Sequence, residues 1–239
     1  MARICVSENV YGQNNLLYVQ SNVAELLRGA NCKTELKKDG DRANLYIDCP
    51  DCYKEIISIE ISDKIAEIIA VKYKYDYFKN AVKIAGISDD EKEILFASLI
   101  AADLPDDKKY VFGKIKGLYS VAIDGVYNFW LKPLKKKWSE IVTYIPLVFE
   151  RRQLKEFVSY LLENKKKRVY VDGEKVYDSN YKRLYRVDLL LAENVRVIRE
   201  IILSNCGEIE LFGVIPKDDE YYLKEFYTDK IIFSARYFG

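Results

Sequence analysis

Cys49 and Cys52 bound the tetrapeptide Cys49-Pro50-Asp51-Cys52, the one motif in this chain whose residue types and spacing have a recognisable reactivity. Two thiols in this spacing at the start of a helix can exchange a disulfide, because the helix N-terminus favours the thiolate. A four-thiolate zinc site would need a second Cys-x-x-Cys pair, and Cys5, Cys32 and Cys206 do not supply one. No metal and no cofactor is expected. The plain reading of Cys49 and Cys52 is two small residues at a strand-to-helix turn, with a redox pair as the alternative.

The 239 residues include no histidine. That removes Ser-His-Asp and Cys-His triads, imidazole-bound zinc and the commonest general base. Neither G-x-G-x-x-G nor the phosphate-loop pattern G-x-x-x-x-G-K-[ST] occurs, and no G-x-S-x-G elbow is present. Acidic pairs at Asp89-Asp90, Asp106-Asp107 and Asp218-Asp219 fall where helices should start, and helix capping accounts for them. Catalytic residues are therefore unknown, with only carboxylates, Lys, Tyr and Cys left to serve. The reading leans away from an enzyme.

Lys and Arg number 38 against 37 Asp and Glu, a net charge of +1. A domain that wraps nucleic acid usually has a pI above about 9, so nucleic acid is not the expected partner. Two basic runs, Lys135–Lys137 and Lys165–Arg168, read as solvated faces, with contact to phosphates or an anionic surface as the alternative. Tyr170 and Tyr177 lie near Arg168 and Lys175, and cation–π pairing within their hairpin is the expectation. The opening Met1-Ala-Arg-Ile-Cys-Val lacks the apolar core of an export signal, and no apolar run approaches a membrane span. Five cysteines are few for a disulfide scaffold. A cytoplasmic protein without a transmembrane segment is expected.

The elements that must position these residues read as α+β. The first third predicts β-α-β-β-α: a strand over Ala2–Val6, a helix from Asn14 to Arg28, strands at Asn31–Lys37 and Ala43–Asp48, then a helix to about Ile84. Ile57, Ile61, Ile65, Ile68 and Ile69 lie on one face of that helix, although Glu55–Ile61 also alternates like a strand. Ser88-Asp-Asp-Glu91 is a capping box that opens an apolar helix to about Ala102. Pro105 breaks the chain before a short helix over Lys108–Leu118.

Two Asp-Gly pairs flanked by alternating apolar residues, Asp124-Gly125 and Asp172-Gly173, predict β-hairpins, since Asp-Gly suits the positive φ values of type I′ turns. In the first, Ile123 would pair with Val126, Val121 with Asn128 and Tyr119 with Trp130. Between the hairpins, Leu134, Trp138, Ile141, Ile145 and Val148 predict a long helix from Pro133, kinked at Pro146 and resuming in a different phase through Leu154 and Leu161, either one bent helix or two helices meeting at an angle. The last third predicts hairpin-α-β-α-β: a helix over Leu184–Ser204, a strand at Glu208–Val214, a helix at Asp218–Tyr227 and a strand at Ile231–Tyr237, with Phe233, Ala235 and Tyr237 on one face. The expected organisation is an N-terminal α+β unit (1–85), a helical segment with the first hairpin (86–165) and a C-terminal α/β unit (166–239), packed as one or two domains.

Val121-Ala-Ile-Asp-Gly-Val-Tyr-Asn-Phe-Trp-Leu-Lys132, followed by a long helix ending in Lys155-Glu-Phe-Val-Ser-Tyr-Leu161, resembles the YtxC-like family of sporulation proteins from spore-forming Firmicutes. Trp130 departs from the family's usual Arg, and the long helix is basic where relatives are often acidic. The resemblance implies a sporulation-associated protein but no catalytic residues. Together with the absence of obvious chemistry, it leads to an expectation of action through a protein partner, the oligomeric state being open. The candidate interaction surface is the exposed side of the first hairpin: Asp124, Gly125, Tyr127 and Phe129.

Overall fold

The computed structural model describes residues 1–162, 165, 167–190 and 192–233. Glu163, Lys166 in the second basic run, Leu191, and the expected strand residues Ala235 and Tyr237 lie outside the described residues.

The architecture is α+β. In chain order the elements are β1 (Ala2–Asn9), α1 (Gln13–Asn22), α2 (Ala24–Gly29), β2 (Lys33–Asp39), β3 (Arg42–Cys49), α3 (Lys54–Ile68), a π-helical turn (Ile69–Tyr73) and α4 (Lys74–Ala81). There follow α5 (Asp89–Ile115), β4 (Ser120–Ala122), a single turn α6 (Ile123–Gly125), a second π-helical turn (Val126–Trp130), α7 (Lys132–Thr143) and α8 (Arg151–Leu162). The chain ends with β5 (Arg168–Asp172), β6 (Lys175–Tyr177), α9 (Arg196–Ser204), β7 (Glu208–Leu211), α10 (Lys217–Tyr227) and β8 (Ile231–Phe233). No helix among the described residues is long and apolar enough to cross a membrane.

Two compact units arise, and neither is contiguous in sequence. Unit 1 takes Met1–Lys74 and Pro105–Glu140; unit 2 takes Tyr75–Leu104 and Ile141–Gly239. The break at 104/105 follows Asp103, whose φ of −130° and ψ of 16° leave the helical region two residues before Pro105. Proline disfavours helical backbone in the residue ahead of it and removes an amide donor, so a disruption there is expected.

In unit 1 the sheet order is β2-β3-β1-β4. β1 runs antiparallel to β3 with Ile4 opposite Ile47 and Val6 opposite Leu45. Alternation puts Ile4 and Val6 with Ala43, Leu45, Ile47 and Cys49 on one buried face, and α1 and α3 pack on this sheet. The isoleucine stripe of α3 is fully inside, with Ile57 and Ile65 at 0% exposure, which decides the helix-or-strand ambiguity at Glu55–Ile61 for helix.

The first Asp-Gly hairpin does not form. β4 instead pairs parallel with β1, Val6 opposite Val121, and the chain then turns helical. Gly125 has φ −64° and ψ −44°, right-handed helical values with no positive φ. Ile123 and Val126 are both buried, as residues three apart on one helix face can be. The free edge of β1 and helical burial together outweigh the local turn preference.

Of the two forms expected for the long helical segment, the chain takes two separate helices, α7 and α8. At residues 144–150, Ala85 N–H donates to Leu147 O and Phe149 N–H donates to Ala85 O, both at 2.9 Å. This extended pairing occupies backbone groups that a continuous helix would use, and Pro146 already lacks a donor.

In unit 2 the sheet order is β6-β5-β7-β8, with β5, β7 and β8 parallel and β6 antiparallel at the edge. The second hairpin forms as expected, shifted by one residue: Asp172 pairs with Lys175, so the turn residues are Gly173 and Glu174. Only Gly173 takes positive φ (+59°) there. Val169, Val171, Val176, Ile209 and Leu211 form the buried face, and Val197, Ile198, Ile201 and Ile202 of α9 join the same core. The predicted helix over Leu184–Ser204 is shorter: Arg186–Leu189 is a 3₁₀ turn, and α9 starts only at Arg196. The capping box is present, Ser88 N–H donating to Glu91 Oε2 at 2.8 Å and Glu91 N–H to Ser88 Oγ at 3.2 Å.

Candidate functional site

Unit 1 contains a buried network of charged and aromatic groups beside the turn that replaces the first hairpin. Lys74, at the end of the first π-helical turn, donates from Nζ to Asp107 Oδ2 at 2.8 Å. Trp138 Nε1 of α7 donates to the same oxygen at 2.9 Å, and Lys137 Nζ donates to Oδ1 at 2.8 Å. Burial pushes the Asp107 carboxyl up, but the Lys74 charge and the three hydrogen bonds outweigh it, and the group sits below its ordinary value. An aromatic column continues from there. Tyr127 stacks on Trp138 with centroids 6.3 Å apart and meets Tyr73 at 4.5 Å. Lys135 Nζ lies 4.7 Å over the Tyr127 ring. Tyr73 donates its hydroxyl to Glu8 Oε2 at 2.8 Å, and Asn15 Nδ2 donates to the same oxygen at 3.1 Å. Glu8 is fully buried, and burial raises its carboxyl above the ordinary value despite these bonds.

Both π-helical turns, Ile69–Tyr73 and Val126–Trp130, meet in this network through Tyr73 and Tyr127. Such turns are rare and recur at functional positions. The Asp107 oxygens are filled by three side-chain donors, which suits a structural anchor better than an acid, base or nucleophile. What the network positions is its neighbour in sequence. After Tyr127 the chain presents Phe129 at 73% exposure and Trp130 at 48%. Beside Asp107 a recess of about 310 Å³ is bounded by Tyr110, Pro133, Leu134 and Lys137.

The four residues expected on the hairpin surface thus have different roles. Asp124 is bound by Arg42, whose Nη1 reaches Oδ2 at 2.5 Å and whose Nη2 reaches Oδ1 at 3.0 Å. Gly125 is part of a helical turn, and a Cβ there would lie 3.2 Å from that of Ala122. Tyr127 is half-buried in the column, and Phe129 alone stands well out into solvent.

Cys49 closes β3 with its side chain inside the core, and Cys52 is exposed on the 3₁₀ turn Asp51–Tyr53; both are free thiols. Burial raises the Cys49 thiol above its ordinary value, opposite to what a redox nucleophile requires. In the first basic run Lys137 is committed to Asp107, Lys135 donates to Asn128 O at 3.3 Å, and Lys136 lies 4.0 Å from Glu140. In the second, Arg168 pairs with Glu208 at 2.8 Å and Glu210 at 3.5 Å. The cation–π pairing expected at Tyr170 is replaced by ring contacts with Tyr181 and Phe212. Among the described residues no group of three or more Cys, Asp or Glu could hold a metal ion.

Sequence reasoning missed Glu8 and Lys74, and it assigned Asp107 to a helix cap, whereas Asp107 lies inside α5 with its carboxylate buried. Their one available signal was position: Glu8 continues the inward alternation of Ile4 and Val6. Protein-family models, curated proteins and solved structures contain no match to the chain.

Proposed function

We propose that this protein works by binding another protein, with Phe129 and Trp130 as aromatic anchors, in the cytoplasm that its cysteine usage suggests and in the sporulation-associated setting that the YtxC-like resemblance implies. The observation that carries the reading is the exposure of two large aromatic side chains on the turn Val126–Trp130, within which Tyr127 is held by Tyr73 and Trp138. Aromatic residues are enriched among the side chains that dominate protein interfaces, and a fixed backbone reduces the entropy lost on docking. Exposed Lys132 and Lys136 flank the pair, so an apolar groove with an acidic rim is the complementary surface.

Nucleic-acid binding through the lysine runs has less support, because several of those cations already have partners within the unit. Thiol redox chemistry has less as well, given the burial of Cys49. The test is affinity capture from sporulating cells with the full chain and with a Phe129→Ala/Trp130→Ala variant. The variant should unfold within about 0.5 kcal/mol of the parent, as surface changes do, and should lose at least one protein that the parent retains. Retention of every co-purifying protein by the folded variant would refute the reading.

A further inference from the structure

On the exposed face of the unit 2 sheet, a recess of about 400 Å³ is walled by Tyr170, Tyr177, Tyr181 and Phe212, and among the described residues its one charged lining residue is Asp172. The strands explain the grouping. Tyr170 and Asp172 are two apart on β5 and so project to the same side, and Tyr177 stands opposite Tyr170 on β6. Tyr181 stacks on Tyr170 with centroids 4.4 Å apart and planes within 12°, and Phe212 lies 5.7 Å from Tyr170 on another side. These ring contacts build the walls without a ligand.

Two features of the backbone are spent on this arrangement. Tyr181 has φ +57°, a strained conformation that bulky residues rarely adopt. Asp178 holds that turn by accepting the amide protons of Asn180 at 2.9 Å and Lys182 at 3.0 Å. Gly213 leaves space for the acid: a Cβ at that position would come within 2.8 Å of Asp172 Oδ1. Asp172 is exposed and makes no ion pair among the described residues.

Aromatic faces carry negative electrostatic potential, and the carboxylate adds a full negative charge, while no Lys or Arg among the described residues lines the recess. A phosphate group would meet Asp172, and Lys175, opposite Asp172 on β6, is not among the residues that line the recess. A cation with an apolar surface fits best, since it gains from the rings and loses little hydration. We propose that this recess binds a quaternary ammonium group. It shares no residue with the Phe129–Trp130 turn, so the two readings stand or fall separately.

The test is calorimetric titration of the full chain with four probes: choline, its neutral carbon isostere (a tert-butyl group in place of trimethylammonium), a trimethyl-lysine peptide, and AMP. At least one of the two ammonium probes should saturate, and the neutral isostere should bind on the order of tenfold more weakly than choline, or not at all. Choline binding as tightly as the peptide identifies a small free cation as the ligand; a peptide that binds more tightly identifies a modified lysine. Tyr181→Ala, at a 64% exposed position, and Asp172→Asn should each weaken the ammonium probe on the order of tenfold, with circular dichroism unchanged. Equal binding of the neutral isostere and choline, no saturation by either ammonium probe, or tighter binding of AMP would overturn the proposal.

Discussion

Lys74 Nζ lies 2.8 Å from Asp107 Oδ2, and the two side chains are 0% and 1% exposed. Two charges removed from water lose several kcal/mol of hydration each, which their attraction returns only when the remaining valences are filled. Here Trp138 and Lys137 help to fill them. Asp107→Asn should therefore destabilise unit 1 by about 3–5 kcal/mol, because it takes the Asp107 charge away from a buried ammonium. Adding Lys74→Met should recover much of the loss. Urea unfolding of the two single variants and the double variant measures the coupling, and a value near zero would mean that the pair is not a unit.

Asp219 makes the opposite case, and it can be read against pH. It is 3% exposed, and its Oδ1 accepts the Ile198 amide at 2.8 Å in the first turn of α9. Burial outweighs that bond and its neighbours and raises the carboxyl from 3.8 to about 6. The folded state thus holds a proton between those values that the unfolded chain has released, so stability falls as pH rises through that window and levels off above it. Asp219→Asn keeps an acceptor for the amide and removes the titration. The stability of the parent relative to this variant should drop on the order of 2–3 kcal/mol between pH 4 and pH 6. A pH-independent difference would show that Asp219 is not perturbed.

What could be read in advance depended on how far apart the interacting groups are in sequence. The Ser88–Glu91 box and the Gly173 turn are local chemistry and were legible, although the turn slipped by one residue because only Gly173 needs positive φ. The Asp124-Gly125 signal was equally strong and misleading, since the edge of β1 that captures Val121 lies more than a hundred residues earlier in the chain. Lys74 was invisible for a different reason. The π-helical turn Ile69–Tyr73 inserts extra residues into the helical ladder and shifts its phase, so a charge that seems to leave the isoleucine stripe is carried inward. The Tyr170–Tyr181 stack depends on a left-handed tyrosine, which no spacing rule announces.

Gly86 tests the pairing that divides the long helix. Its φ is +94°, and a Cβ there would lie 2.7 Å from Phe149 O. Both the backbone conformation and the space exclude a side chain, while Ala85 beside it exchanges hydrogen bonds with Leu147 and Phe149. Gly86→Ala should cost at least about 2 kcal/mol, combining strain at positive φ with displacement of the 147–149 segment. Faster amide exchange at Ala85 and Phe149 should accompany the loss. An effect under 0.5 kcal/mol, the size of an ordinary surface change, would mean that the segment does not need this pairing.

Arg42 and Asp124 decide between two uses of the Asp-Gly sequence. The guanidinium at the start of β3 grips the carboxylate of α6 with two hydrogen bonds and also reaches Ser7 Oγ at 3.0 Å, so one side chain ties β3, β1 and the turn after β4 together. The side chains are 32% and 19% exposed, which tempers a charge-assisted contact without abolishing it. Asp124→Asn should cost on the order of 1 kcal/mol, and should do so more at low salt than at high, because the lost partner is a charge. If Asp124 served as a solvent-facing contact for a partner, the same substitution would leave unfolding unchanged and weaken capture alone. A destabilised variant that still captures its partners assigns Asp124 to the scaffold and leaves Phe129 and Trp130 to make the contact.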